Sequence, residues 1–88
     1  LVALNKFIVN SAILPEDMDP VACATGIPEM LEKQGIANVK IKSCYCCEED
    51  GKVIFVAEAP NKESLFAALA KINLPVASIM ETKEVKPK

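Results

Sequence analysis

Along residues 5–14, Phe7, Val9 and Ile13 are set against Lys6, Asn10 and Ala12 with a period of about two, which predicts a first β-strand closed by Pro15-Glu16-Asp17. Asp19-Pro20 then reads as a helix start, a capping oxygen followed by proline at the first helical position. Gly26 and Pro28 interrupt the next stretch, so the expectation is either one helix kinked there or a short turn and a second start capped by Thr25. Ile27, Met30, Leu31 and Gln34 recur at helical spacing, and Gly35 is a natural terminator. Residues 39–47 predict a second strand. Glu48-Glu49-Asp50-Gly51 predicts a tight turn, because Asp-Gly supplies the positive φ that a hairpin needs. Residues 52–59 predict a third strand, ended by Pro60. Asn61 caps a second helix, with Glu63 in its first turn and Leu65, Ala68, Leu69 and Ile72 as its apolar stripe. Asn73-Leu74-Pro75 stops that helix, residues 76–85 predict the last strand, and Lys86-Pro87-Lys88 a solvated tail.

The order β-α-β-β-α-β implies an α+β, ferredoxin-like, two-layer sandwich: two helices on one face of a four-stranded antiparallel sheet. The other face is then left to solvent or to a partner. With 88 residues the expectation is a single domain spanning 1–88. A core this small often gains from pairing with a copy of itself, so a homodimer is expected.

Composition narrows the functional classes. The chain is 51% hydrophobic and 25% charged, ordinary for a globular protein. No segment approaches the ~20 apolar residues of a membrane span. The apolar run of residues 1–4 breaks at once at Asn5 and Lys6, so neither a membrane nor a secretory signal is expected and the expected location is cytoplasmic. Net charge is −2; the 10 basic residues are all lysine and are scattered among acids. Without arginine or a clustered basic surface, nucleic-acid binding is not expected. Histidine is absent, which removes the usual general base near neutral pH and the commonest nitrogen ligand for metals.

The candidate chemistry lies at Ser43-Cys44-Tyr45-Cys46-Cys47. Side chains alternate along a strand, so Cys44 and Cys46 point one way and Tyr45 and Cys47 the other. Across the hairpin, Cys44 and Cys46 should share a face with Val53, Phe55 and Ala57, and with Lys40 and Lys42. Val39, Ile41, Tyr45 and Cys47 should share the opposite face with Ile54 and Val56. This second set is richer in large apolar groups, so it is expected to lie under the helices, with the Cys44/Cys46 face wet or at a partner interface. Strand residues two apart are about 6.5–7 Å apart, at the limit of disulfide geometry, so reduced thiols are expected. Two thiolates on one face can reach one soft metal ion; zinc, copper(I) and nickel all accept sulfur. Further ligands would come from Cys23, from a small molecule, or from a symmetry mate whose apposed face completes four sulfurs. Cysteine is also a small, well-buried hydrophobe, and Cys23 and Cys47 are expected to be core. The Glu48-Glu49-Asp50 run reads as a solvated turn, and Glu58 as a strand-end charge reaching water.

From Ser43 to Val85 the chain carries a strand with Ser-x-Tyr, the turn Glu-Asp-Gly and Glu58-Ala59-Pro60. Beyond these come a polar cap at Asn61, an amphipathic helix, a Leu-Pro-Val step and a last strand with Met-Glu-Thr-Lys-Glu-Val. This half of the chain resembles a family of small, uncharacterised ferredoxin-like domains that includes a nickel-binding protein. The resemblance implies a dimer of the α/β-barrel kind. The family often has a cysteine where Phe55 aligns and a histidine in the second helix; this chain has neither. Cys44 and Cys46 share the expected face of Phe55, as if a thiol had moved across the hairpin while keeping the same cavity.

Three functions stand as expectations. The first is a non-catalytic metal-binding homodimer with Cys44 and Cys46 as ligands. The second is a small-molecule-binding or catalytic barrel, with Cys46, Tyr45, Asn10 and Glu58 in its pocket and Lys42 lowering the pKa of Cys44. The third is an interaction module without chemistry.

Overall fold

The computed structural model describes residues 4–83 and 85–87. The elements run β1 (Asn5–Ser11), α1 (Pro20–Lys33), β2 (Lys40–Cys47), β3 (Lys52–Ala59), α2 (Lys62–Lys71) and β4 (Val76–Thr82). The strands form one sheet in the order β2-β3-β1-β4, every neighbouring pair antiparallel. This is the ferredoxin-like α+β fold, with β1 and β3 central and β2 and β4 at the edges.

Both helices end by the same device. Gly35 has φ 71° and Asn73 has φ 58°. The Ile36 N–H donates to the Leu31 carbonyl (3.0 Å) and the Gly35 N–H to that of Glu32 (2.9 Å). After α2, the Leu74 N–H donates to Leu69 (3.1 Å) and the Asn73 N–H to Ala70 (3.1 Å). Each pair satisfies orphan carbonyls of the last turn while a left-handed residue reverses the chain. At the start of α2, Asn61 Oδ1 accepts from the Ser64 N–H at 2.7 Å, a cap of about 1 kcal/mol.

Helix α1 departs from expectation. It runs through Gly26 and Pro28 without interruption, and the Thr25 hydroxyl donates back to the Val21 carbonyl (2.8 Å) instead of capping a second start. Pro28 forfeits one backbone bond, and the buried stripe Cys23, Ile27 and Leu31 holds the helix to the sheet regardless. Asp19 occupies the N-cap position, but its side chain makes no capping bond. The first and last strands are shorter than expected, β1 ending at Ser11 and β4 at Thr82; the expected strand residue 84 lies outside the described residues.

The core lies between helices and sheet. Phe7, Val9, Val53, Phe55, Ala57 and Ala59 are fully enclosed from the sheet side, and Ile27, Leu65 and Leu69 from the helices. The face carrying Phe55 therefore packs under the helices, which reverses the expected assignment. The cause is a bulge in β2. Ile41 pairs with Ala57 but Ser43 pairs with Val56, so Lys42 is an extra residue without a partner in the ladder. The bulge shifts the alternation: Val39 and Ile41 before it and Cys44 and Cys46 after it all face the helices. Tyr45, Ile54 and Val56 face outward with Ile8 and Met80.

Candidate functional site

The strand ends at which β1 stops, α1 starts and the β2–β3 hairpin turns are tied together by backbone bonds. The Leu14 N–H donates to the Gly51 carbonyl (2.7 Å) and the Ala12 N–H to that of Pro75 (2.8 Å). The buried Ser11 hydroxyl accepts from the Val53 N–H (2.9 Å) and donates to the Ala12 carbonyl (2.9 Å). Ser11 thereby replaces a ladder partner for Val53, the residue opposite Cys46. The sequence offered no signal for this role, because a serine at the end of an alternating strand reads as an ordinary polar position.

At this end two elements carry thiols on the helix–sheet side. Cys44 pairs with Phe55 and Cys46 with Val53 on the helix-facing side of β2, and Cys23 is buried in the first turns of α1. All four cysteines are free thiols. Burial pushes the Cys23 thiol above its ordinary pKa, and the nearby Cys46 adds to this. Cys44 is raised by burial first, then by Cys23 and Cys46, against the lowering effect of a hydrogen bond from the Tyr45 backbone. Cys46 is raised by partial desolvation, and then by Glu48, Asp19 and Cys47. Cys23, Cys44 and Cys46 thus lie within electrostatic reach of one another. Among the described residues, however, no three cysteine or carboxylate side chains stand close enough together to hold a metal ion by themselves.

These raised values have a measurable consequence for stability. The unfolded chain loses its thiol protons first as pH rises, while the folded chain retains them. The unfolded state then binds fewer protons, so stability falls with increasing pH. The expected result is a thiol contribution fully present below the ordinary thiol pKa and lost as pH climbs through the raised folded values. Denaturant unfolding of the wild type and of Cys23→Ala from neutral to alkaline pH measures it; an equal slope in both chains would show that Cys23 does not contribute.

The residues expected around a catalytic pocket are not brought together. Cys46 faces the helices, whereas Tyr45, Asn10 and Glu58 lie on the outer side of the sheet. The Asn10 amide there donates to Ser78 Oγ at 3.0 Å. Lys42 does not activate Cys44: its Nζ lies 3.8 Å from Glu58 Oε1 on the outer side, and the Cys44 thiol is raised, not lowered. Cys47 is not core; it is half-buried opposite Lys52 on the outer side. Apposition of two sheets could not bring four strand thiols together, because Cys44 and Cys46 point away from the outer face. A groove of about 340 Å³ adjoins the thiol end, lined by Met18, Cys23, Met30, Asp17 and Asp19 together with the Ile72–Leu74 turn.

No protein-family model matches the chain, and no curated protein does. Among solved structures, the NMR structure of a heavy metal binding protein from Thermotoga maritima is similar at 27% identity and a TM-score of 0.49. The match covers 88% of this chain and 98% of that one. Among the described residues, no helix is long and apolar enough to cross a membrane.

Proposed function

We propose that this chain is a small metal-binding domain that holds a thiophilic transition metal through the strand thiols Cys44 and Cys46, with a small molecule completing its coordination. The observation that carries this reading is the register of β2 on β3, which pairs Cys44 with the buried Phe55 and Cys46 with the buried Val53 and so sets both thiols on the helix-facing side of the sheet. Zinc, copper and nickel all accept such ligands, and thiolate coordination draws off the protons that burial otherwise retains. The raised thiols argue against nucleophilic catalysis, which needs thiolate at neutral pH.

The outer sheet face fits a second copy of the chain. Ile8, Ile54, Val56 and Met80 make an apolar patch there, with Tyr45 60% exposed at its edge. Lys52 and Glu58 stand at opposite ends of the outer side of β3, so two sheets stacked with β3 reversed bring each near its opposite charge. In this arrangement the metal stays within each chain, on the helix side.

The test is native mass spectrometry of protein purified anaerobically without chelator. The wild type is expected as a dimer with one metal per chain. Cys44→Ser/Cys46→Ser is expected to lose the metal, with affinity lowered at least about 100-fold, beyond the cost of outer-shell changes. A metal-free wild type, or a double variant that keeps its metal, overturns the reading and leaves an interaction module.

A further inference from the structure

We infer that the free edge of β4 pairs antiparallel with the same edge of a second copy of the chain, joining two four-stranded sheets into one continuous sheet with Met80 at the two-fold axis. This seam is separate from the thiols and from the outer sheet face, and it rests on neither.

The two edges of the sheet differ. An edge strand carries unpaired N–H and C=O groups, and lysines, bulges and prolines guard it against pairing with another chain. On β2, Lys40 and Lys42 supply two lysines, and Lys42 is also the bulged residue. β4 has neither lysine nor proline. It does have a bulge: Asn10 pairs with Ser78 and Ser11 with Val76, which leaves Ala77 as the extra residue. That bulge lies at the start of the strand, and the run from Ser78 to Thr82 is regular against β1. β1 is the one neighbour of β4 in the sheet, so alternate residues of this run turn N–H and C=O toward the open edge. Beside the edge, a groove of about 690 Å³ separates β4 from α2, lined by Lys62, Glu63 and Phe66 and by residues 76–79. An extended strand satisfies both features, because its backbone completes the ladder while alternate side chains enter the groove.

The run is complementary to itself. In antiparallel pairing centred on Met80, Ser78 stands opposite the partner's Thr82, Ile79 opposite the partner's Glu81, and Met80 opposite the partner's Met80. Ser78, Met80 and Thr82 lie on the outer side with Asn10, Ile8 and Lys6. Hydroxyl residues therefore meet near each end of the seam and thioethers meet at its centre, which continues the apolar patch of one outer face into the next. Ile79 and Glu81 lie on the helix side, opposite Val9 and Phe7. The exposed Glu81 would guard the edge if it met nothing. In this register the partner's Glu81 comes opposite Ile79, which lines the groove together with Lys62. Each carboxylate thus enters a groove that holds an ammonium, twice by symmetry. Sliding the seam toward the start of the strand would run the partner into the Ala77 bulge. The axis stands perpendicular to the sheet, so both pairs of helices lie on one side and both outer faces stay open.

The test is sedimentation equilibrium of the reduced full chain from about 5 µM to about 1 mM, since so short a seam is a weak interface. The wild type is expected to show about a twofold rise in weight-average mass across that range. Glu81→Lys and Lys62→Glu each place like charges in the groove, and each alone is expected to keep its dilute mass throughout. An equimolar mixture of the two variants, in which each chain supplies the charge that the other lacks, is expected to regain the twofold rise. The rise is read against whatever state the outer face sets in dilute solution, so loss of the face-to-face dimer and loss of the seam are told apart. A wild type of constant mass overturns the inference, as do variants that associate like the wild type or a mixture that behaves as its parts. Recovery in the mixture also shows that both variants fold. Amide hydrogen exchange of the wild type places the contact: protection gained at high concentration is expected between Ser78 and Thr82, and protection gained only elsewhere overturns the assignment to this edge.

Discussion

Deleting Lys42 is expected to destabilise the domain by at least about 3 kcal/mol and to lower Tm by more than about 10 °C. Lys42 is the extra residue of the β2 bulge, and the hairpin turn holds residues 43–47 in register with β3. Without the bulge, the alternation upstream inverts. Val39, now 6% exposed, and Ile41, packed against the core, would turn to the outer side, and Lys40 would turn inward. Lost burial of the two apolar side chains accounts for about 3 kcal/mol, and driving an ammonium toward the core adds to it. Substitution without deletion is the control. Lys42→Ala keeps the bulge and removes only a 3.8 Å ion pair whose lysine side chain is 51% exposed. Its cost is expected to stay within about 1 kcal/mol. Thermal unfolding of both variants decides the matter, and equal Tm values for the deletion and the wild type would mean that the bulge does not set the faces. The deletion also separates fold from chemistry, since Cys44 and Cys46 lie on the hairpin side of the bulge.

The second large effect concerns Phe55. Its ring is fully buried on the central strand β3, between Cys44 on one side and Val9 on the other. Phe55→Ala is expected to cost about 3–5 kcal/mol, the transfer term plus the cavity left in a packed interior. Small domains have only about 5–15 kcal/mol in total, so this variant should be largely unfolded under mild denaturant. Phe66→Ala supplies the contrast. Phe66 is on α2 and 55% exposed, and alanine is the better helix former, so a change within about 0.5 kcal/mol is expected. Urea unfolding of the two proteins measures the difference. Comparable losses would show that the Phe55 face is not the helix-packed one. Because Phe55 adjoins Cys44, the same substitution should also loosen the thiol end and bring Cys44 alkylation closer to that of an exposed thiol.

The order of elements, both helix terminators, the Asn61 cap and the Asp50-Gly51 turn were legible in the amino-acid sequence. Each rests on interactions within a few residues: a side chain bonding a nearby N–H, a residue that tolerates φ > 0, an apolar stripe recurring every three or four positions. The pairing of Cys44 and Cys46 with Val53 and Phe55 was legible for the same reason, because a short hairpin transmits register across its turn. What sequence periodicity could not reveal was the extra residue at Lys42. A bulge leaves the apolar pattern of β2 looking continuous, so Val39 and Ile41 were grouped with Tyr45 and Cys47, and that grouping put the helices on the wrong face. The continuity of α1 through Pro28 was likewise beyond local signals, since its stripe of Cys23, Ile27 and Leu31 gains its stability only against the sheet. Tertiary packing also decided which cysteines belong together. Cys23 is 21 residues from Cys44 in sequence, and only the crossing of α1 over β2 brings the buried thiol to the strand. Local chemistry thus determined the elements and their ends. The choice of buried face, and with it the direction of the thiols, was made by the packing of helices on sheet, and one unpaired residue in an edge strand brings Val39 and Ile41 to that same face.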